Sequence, residues 1–150
     1  MKYRYYVVID TNVLVAGLLS RNPVSPTVRI LRLLSEGVIV PVYSEEIIDE
    51  YIEVLHRDKF GLPEEIITPI ISDITEHGIE ITDLTEIPSD EEVADPKDVV
   101  FYAVTLSATD LDAVLVTGNL KDFPSKTFVI TPADFIAMID INLKKTSDFC

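Results

Sequence analysis

Residues 5–19 read YYVVIDTNVLVAGLL: a β-branched apolar run, an acid, two polar residues and a second apolar run. The first run predicts a buried strand over 5–9, and the second predicts a helix over 13–19. Asp10 then follows the strand directly, at the edge where open parallel α/β sheets bind their ligands. A buried carboxylate needs a partner. Asp10 could cap the following helix, or it could ligate a metal ion, and this stretch alone leaves both roles open.

The rest of the chain continues the alternation of strands and helices. Strands are predicted at 38–42, 79–84, 113–117 and 128–130, and helices at 26–36, 44–57, 63–77, 96–109 and 132–141. Pro41 suggests that its strand is an edge strand or has an irregular end, and Pro69 suggests a kink or break in its helix. Repeated βα units predict a parallel sheet with helices on both faces. We take 1–142 as a single domain and 143–150 as a polar C-terminal tail.

Composition limits the classes of function. The 150 residues suit one domain, and a hydrophobic fraction of 47% is enough for a core. No apolar run approaches the length of a membrane span, and no signal peptide is evident. The single cysteine, Cys150, precludes an internal disulfide, which favours a cytoplasmic protein. A net charge of −14 argues against holding nucleic acid by bulk electrostatics, but it allows an enzyme that meets phosphates through cations.

Polar side chains follow each of the first four predicted strands. Asp10 follows the first, Glu50 lies early in the helix after the second, Asp98 begins the helix after the third, and Asn119 and Asp122 follow the fourth. In a parallel sheet all these points lie near one edge. Clustered carboxylates need a counter-charge, and oxygen ligands suit Mg²⁺ or Mn²⁺. Such a site can supply a water nucleophile and stabilise charge on a phosphodiester.

Each of these acids also has an ordinary structural explanation. Asp98 could be a helix-start acid that interacts with the helix dipole, Glu50 could lie on a solvated helix face, and Asp122 could be a turn residue. Asp95 is assigned as the cap of the helix that begins at Pro96. None of the five glycines forms a phosphate-binding G-x-G-x-x-G or Walker motif.

Four segments, in order, resemble the motifs of PIN domains, in particular the toxin-like PIN proteins of prokaryotic toxin–antitoxin systems. They read VIDTNVL at 8–14, SEEIIDEY at 44–51, DPKD at 95–98 and VTGNLKDFP at 116–124. The resemblance covers nearly the whole chain, and Glu50 and Asp98 stand at the acid positions of the second and third motifs. It implies an α/β fold, a Rossmann-like three-layer α/β/α domain whose central, mostly parallel sheet has four to five strands.

The resemblance also implies an activity and partners. The expected activity is that of an endoribonuclease that hydrolyses RNA phosphodiesters with a metal-activated water, using Mg²⁺ or Mn²⁺ held by Asp10, Glu50 and Asp98. The expected partners are RNA, an antitoxin protein with a basic segment, and further copies of the chain in a homodimer or higher homo-oligomer, with no membrane involved.

Supporting roles are expected for three further residues. Asn119, with Thr117 nearby, would orient water or ligands, and Asn12 would fix Asp10 by hydrogen bonding. Many PIN domains carry aspartate where this chain has Asn119. An amide oxygen can ligate but adds no charge, so a second metal ion would be held weakly unless Asp122 turns in as a ligand.

Two other functions fit parts of the pattern. One is a PIN-like binding module for RNA or protein with a weakened site, which Asn119 and the net charge favour. The other is a phosphohydrolase that acts on small phosphate esters. The second is less favoured, because an aspartyl-phosphate hydrolase usually has another acid two residues after Asp10, where this chain has Asn12.

Overall fold

A computed structural model describes residues 4–148, with side chains as far as residue 145; Cys150 and residues 1–3 lie outside the described residues. The helices and strands, in chain order, are β1 (Tyr5–Ile9), α1 (Thr11–Leu19), α2 (Pro26–Ser35), β2 (Ile39–Tyr43), α3 (Glu45–Leu55), α4 (Glu64–His77), β3 (Ile79–Glu80), α5 (Val99–Ser107), β4 (Val114–Val116), β5 (Val129–Ile130) and α6 (Pro132–Asp148). Short 3₁₀ turns lie at Asp58–Phe60, Pro96–Asp98, Thr109–Leu111 and Leu120–Asp122.

The strands form one parallel sheet in the order β3-β2-β1-β4-β5. From β1 the chain builds the sheet in one direction through β2 and β3, then crosses back to place β4 on the other side of β1. The carboxyl ends of β1 and β4 therefore flank the point at which the strand order reverses, which is where open α/β sheets form a ligand crevice. This confirms the predicted parallel α/β architecture.

Both faces of the sheet are covered. Successive strand side chains point to opposite faces, yet Val7, Val8 and Ile9 of β1 are all at most 1% exposed, as are Leu115 and Val116 of β4. Helix α5, which is apolar almost all round, packs across β1, β2 and β4. The result is the three-layer α/β arrangement that the resemblance implied. No helix among residues 4–148 is long and apolar enough to cross a membrane.

Of the two alternatives that Pro41 suggested, the edge strand is wrong, because β2 lies between β1 and β3. Tyr43 accepts a hydrogen bond from Ile81 on the β3 side, and Pro41, two residues earlier, faces the same side. Pairing with β3 begins only after the proline, so its missing N–H removes no bond from that ladder. Gly78 packs against the carbonyl of Pro41, where a Cβ would stand 2.5 Å from the oxygen.

Several predicted boundaries also change. Helix α4 runs through Pro69 without the break that the proline suggested, and β3 has two residues instead of six. The helix predicted from residue 96 begins with a 3₁₀ turn and ends at Ser107. Helix α6 continues to Asp148, into the predicted tail, since no glycine or proline stops it.

Candidate metal centre

Asp10 lies at the switch point and is held on both sides. Its backbone N–H donates to the carbonyl of Val116 in β4 (3.0 Å), and its side chain caps α1 by accepting from the N–H of Asn12 at 3.4 Å. The other carboxylate oxygen accepts the hydroxyl of Thr117 at 2.6 Å. Only 5% of Asp10 is exposed. The capping role is therefore real, but it uses one oxygen, while the other is bound to Thr117 at the carboxyl end of β4.

The environment of Asp10 disfavours its charge. Burial is the largest cause and raises the pKa of the carboxyl, the hydrogen bonds from Thr117 and Asn12 oppose that shift, and repulsion from Asp122 adds to it. The net direction is upward. A nearby cation would remove this penalty, because an opposite charge favours the ionised form.

Glu50 is joined to Asp10 through the start of α1. Thr11, the next residue in the chain, donates its hydroxyl to Oε2 of Glu50 at 2.9 Å. The neighbour of Glu50 in α3, Tyr51, is buried and donates its hydroxyl to the carbonyl of Ile9 at 2.5 Å. The pKa of Tyr51 is raised by burial first and then by the negative charges of Asp10 and Glu50. Helix α3 is thus fixed to the end of β1, with Glu50 on the side of the crevice.

Asp98 and Asp122 approach the crevice from the 3₁₀ turns at Pro96–Asp98 and Leu120–Asp122. Burial raises the pKa of Asp98 to about 6, and repulsion from four other carboxylates contributes: Asp10, Asp95, Asp122 and Glu50, in decreasing order. Asp98 is therefore within electrostatic range of acids carried by three other segments of the chain. Four segments far apart in sequence therefore bring acids to one place. Asp95 caps its turn as expected, accepting from Lys97 N–H at 3.0 Å.

The raised pKa of Asp98 predicts a specific pH dependence for the metal-free protein. Between the ordinary pKa of 3.8 and about 6, the folded state keeps a proton that the unfolded state releases. Asp98 therefore lowers the free energy of unfolding as pH rises through this window. We expect Asp98→Asn to stabilise the metal-free protein at pH 7 more than at pH 4. Melting curves of chelator-treated protein check this, and an equal effect at both pH values would contradict it.

The supporting residues are arranged differently from the sequence prediction. The backbone N–H of Asn12 donates to Asp10. The side-chain amide of Asn12 makes no hydrogen bond to a described residue. The hydroxyl that fixes Asp10 belongs to Thr117, which is fully buried. Asn119 is exposed, and its backbone N–H donates to the Thr117 hydroxyl at 3.0 Å.

Sequence reasoning missed two residues that position the candidate ligands: Thr11, which binds Glu50, and Tyr51, which binds the end of β1. The position of Thr11 immediately after Asp10 was an available signal, because a hydroxyl beside a ligand carboxylate can position a second one. Tyr51 offered no signal, because its hydrogen bond to β1 exists only in the folded chain.

The donor set fits a hard divalent cation, because it consists of carboxylate oxygens with one amide nearby. As the side chains stand, no three Asp, Glu, His or Cys groups within the described part of the chain are close enough to hold one ion. Glu50, Asp98 and Asp122 are only partly buried, whereas Asp10 is fixed by its hydrogen bonds. Thr11 also holds Glu50, so Asp98 and Asp122 are the acids whose side chains would turn towards a shared ion.

A groove of about 640 Å³ opens beside Glu50. Its rim carries four acids of α3, namely Glu46, Asp49, Glu50 and Glu53. Apolar side chains such as Leu84, Val99 and Val100 also line the groove, and we call this apolar lining the groove floor; one cation, Lys97, lines the groove as well. The groove thus combines an apolar surface with negative charge at the edge of the candidate metal centre.

Comparison with known proteins gives one match. A family model described as PIN domain matches residues 6–121, which is most of the chain and includes the acids from Asp10 to Asp98 together with Asn119. No curated protein and no solved structure matches the chain.

Proposed function

The chain belongs to the PIN domain family, whose members are typically nucleases that use divalent metals, and we propose that it is a Mg²⁺- or Mn²⁺-dependent endoribonuclease. We further propose that it is a single-domain cytoplasmic protein and the toxin component of a toxin–antitoxin pair. The observation that carries the nuclease proposal is geometric: Asp10, Glu50, Asp98 and Asp122 stand on segments that meet at the carboxyl edge of the sheet, where Thr117 holds Asp10 and Thr11 holds Glu50. Asp10, Glu50 and Asp122 each contribute to the raised pKa of Asp98, which agrees with this arrangement.

In this proposal Asp10, Glu50 and Asp98 hold the ion, and Asp122 is an additional ligand. When bound, the ion supplies positive charge that activates a water molecule and stabilises charge on the phosphodiester. Thr117 keeps the Asp10 carboxylate in place through their hydrogen bond, and Thr11 does the same for Glu50. Water, not a side chain, would be the nucleophile: its oxygen would bond to phosphorus as the P–O bond to one ribose oxygen breaks, and that oxygen would leave and take up a proton.

RNA must approach a protein with a net charge of −14. Two exposed lysines precede candidate ligands, Lys97 before Asp98 and Lys121 before Asp122. In this proposal they contact phosphates of the RNA, since lysine pairs with phosphate as a point charge. In this proposal the exposed Asn119 orients the attacking water or the substrate.

The purified protein is expected to cleave labelled RNA in the presence of Mn²⁺, and excess EDTA should abolish cleavage because it removes the counter-charge of the acids. A phosphate monoester incubated in parallel serves as the comparison substrate. Hydrolysis of the monoester alone would support the small-molecule phosphohydrolase instead. RNA binding without cleavage, across several RNAs and in protein free of any partner, would support the binding module.

The proposed inhibitor is an antitoxin with a basic segment. Its positive side chains would pair with the acids of the α3 rim and take the electrostatic place of the cation, since complementary charge guides association and register. Apolar side chains of the segment would cover the groove floor around Val99 and Val100. We also propose a homodimer or higher homo-oligomer, which light scattering of the purified protein would reveal.

An Arg- or Lys-rich peptide from such a partner should lose affinity when the rim is neutralised. We expect the double substitution Glu46→Gln and Glu53→Gln to weaken binding, with a salt dependence smaller than that of the wild type. Neutralising Glu86 and Glu92, which lie outside the groove lining, is the matched control. A partner whose contacting segment is acidic, or whose binding ignores the rim substitutions, would refute this placement.

A further inference from the structure

The connection between β3 and the turn at Pro96 is held at two points on α5. We call residues 81–95 the connecting segment. Near its start, the N–H of Thr85 donates to the hydroxyl of Ser107 at 2.7 Å. Further along, Glu91 accepts a hydrogen bond from the hydroxyl of Tyr102. Near the end, the N–H of Ala94 donates to the carbonyl of Asp122 at 2.9 Å, so the segment also contacts the loop that carries a candidate ligand.

Glu91 joins three parts of the chain. Only 13% of its side chain is exposed, and the oxygen that accepts from Tyr102 lies 3.3 Å from the ammonium of Lys126. The hydrogen bond from Tyr102 and the interaction with Lys126 lower the pKa of Glu91, which keeps it ionised. Tyr102 lies on α5, and Lys126 lies in the loop between β4 and β5. A single carboxylate thus connects the connecting segment, a buried helix and the β4–β5 loop.

The anchor on the helix is rigid. Tyr102 is fully buried, and its ring packs against Phe123 and Phe128, with centroids 6.4 and 6.2 Å away. Both phenylalanines belong to the β4–β5 loop, which also contains Asp122. The hydroxyl of Tyr102 is therefore presented to Glu91 from a packed aromatic cluster.

Two of the four candidate ligands, Asp98 and Asp122, depend for their positions on the connecting segment and the β4–β5 loop. Asp10 and Glu50 are oriented by the hydroxyls of Thr117 and Thr11. The carboxylates of Asp98 and Asp122 have no side-chain hydrogen bond to another described residue, so the backbone around them sets their positions. Asp98 ends the 3₁₀ turn that directly follows the connecting segment, and Asp122 lies in the β4–β5 loop, to which Ala94 of the segment is hydrogen-bonded.

We infer that Glu91 is a positioning residue for the candidate metal centre, which it supports by locking the connecting segment and the β4–β5 loop together through Tyr102 and Lys126. The inference rests on the proposed function, because it concerns the metal site of that proposal. Without the Glu91 carboxylate, the hydrogen bond between Ala94 and Asp122 loosens. The positions of Asp98 and Asp122 relative to Asp10 are then less well defined. Groups that orient metal ligands from outside typically change metal affinity by about 10–100-fold.

Two readouts test the inference on the full-length protein: the Kd for Mn²⁺ by calorimetry, and the amide hydrogen exchange of Ala94 in the presence of EDTA. We expect Glu91→Ala to raise the Kd about tenfold and to accelerate exchange at Ala94. Tyr102→Phe keeps the aromatic packing and should act in the same direction. Glu91→Gln should rescue most of both effects, because its amide oxygen can still accept from Tyr102.

Glu92→Ala is the matched control, since it removes an exposed carboxylate from the same segment. It should change neither readout. If Glu91→Ala and Tyr102→Phe only lower the melting temperature and leave the Kd unchanged, Glu91 is merely structural and the inference is wrong. If the wild type binds no Mn²⁺, the proposed metal centre fails. In that case Ala94 exchange still decides whether Glu91 locks the segment.

Discussion

Asp10→Asn is expected to abolish Mn²⁺-dependent RNA cleavage while raising the thermal stability of the metal-free protein. Asparagine caps a helix about as well as aspartate, so the start of α1 should persist. The substitution removes a charge that burial and Asp122 disfavour. Relief of that repulsion should stabilise the metal-free fold by on the order of 1 kcal/mol.

The decisive measurement is a pair of melting curves, with EDTA and with excess Mn²⁺, for the wild type and Asp10→Asn. Ligand binding stabilises a protein in proportion to its affinity for the native state. The Mn²⁺-induced shift should therefore shrink in the variant, and activity should be lost with it. An unchanged shift would mean that Asp10 is not a ligand, and the central assignment would be wrong.

Glu50→Gln should lower cleavage by on the order of 100-fold or more, because residues that only orient a ligand already contribute 10–100-fold. Glutamine retains an oxygen that can accept the hydroxyl of Thr11, so the geometry seen for Glu50 is preserved and only the charge is lost. The natural control is Asp49→Asn, one residue earlier on α3. Asp49 is exposed and lines the groove, but it is not among the acids that perturb Asp98.

Both substitutions change the net charge by the same amount. A general electrostatic effect on the approach of RNA would therefore change the cleavage rates of the two variants equally. We expect Asp49→Asn to retain most of the cleavage activity and the full Mn²⁺-induced shift in melting temperature. Cleavage rates at saturating Mn²⁺ for both variants make the comparison. Equal losses would assign the effect to surface electrostatics and remove Glu50 from the ligand set.

Local features of the fold were predictable because they depend on neighbouring residues. Asp95 caps the turn that the sequence predicted it to cap, since a side chain needs only the next few backbone N–H groups to do so. The strand at Tyr5–Ile9 has the predicted bounds, because a β-branched run before a capping acid is a local signal. Helix α6 exceeded its predicted end because no local breaker follows residue 141.

The sequence by itself determined the order of the elements and the presence of acids after successive strands, because hydrophobic periodicity and capping act over a few residues. Only the tertiary structure decided which strands are neighbours and which side chains meet. It placed β1 between β2 and β4, put Pro41 in an interior strand, and brought Thr117 to Asp10 across 107 residues. Such contacts form because burying both faces of the sheet orders segments far apart in the chain, and no local pattern encodes that choice.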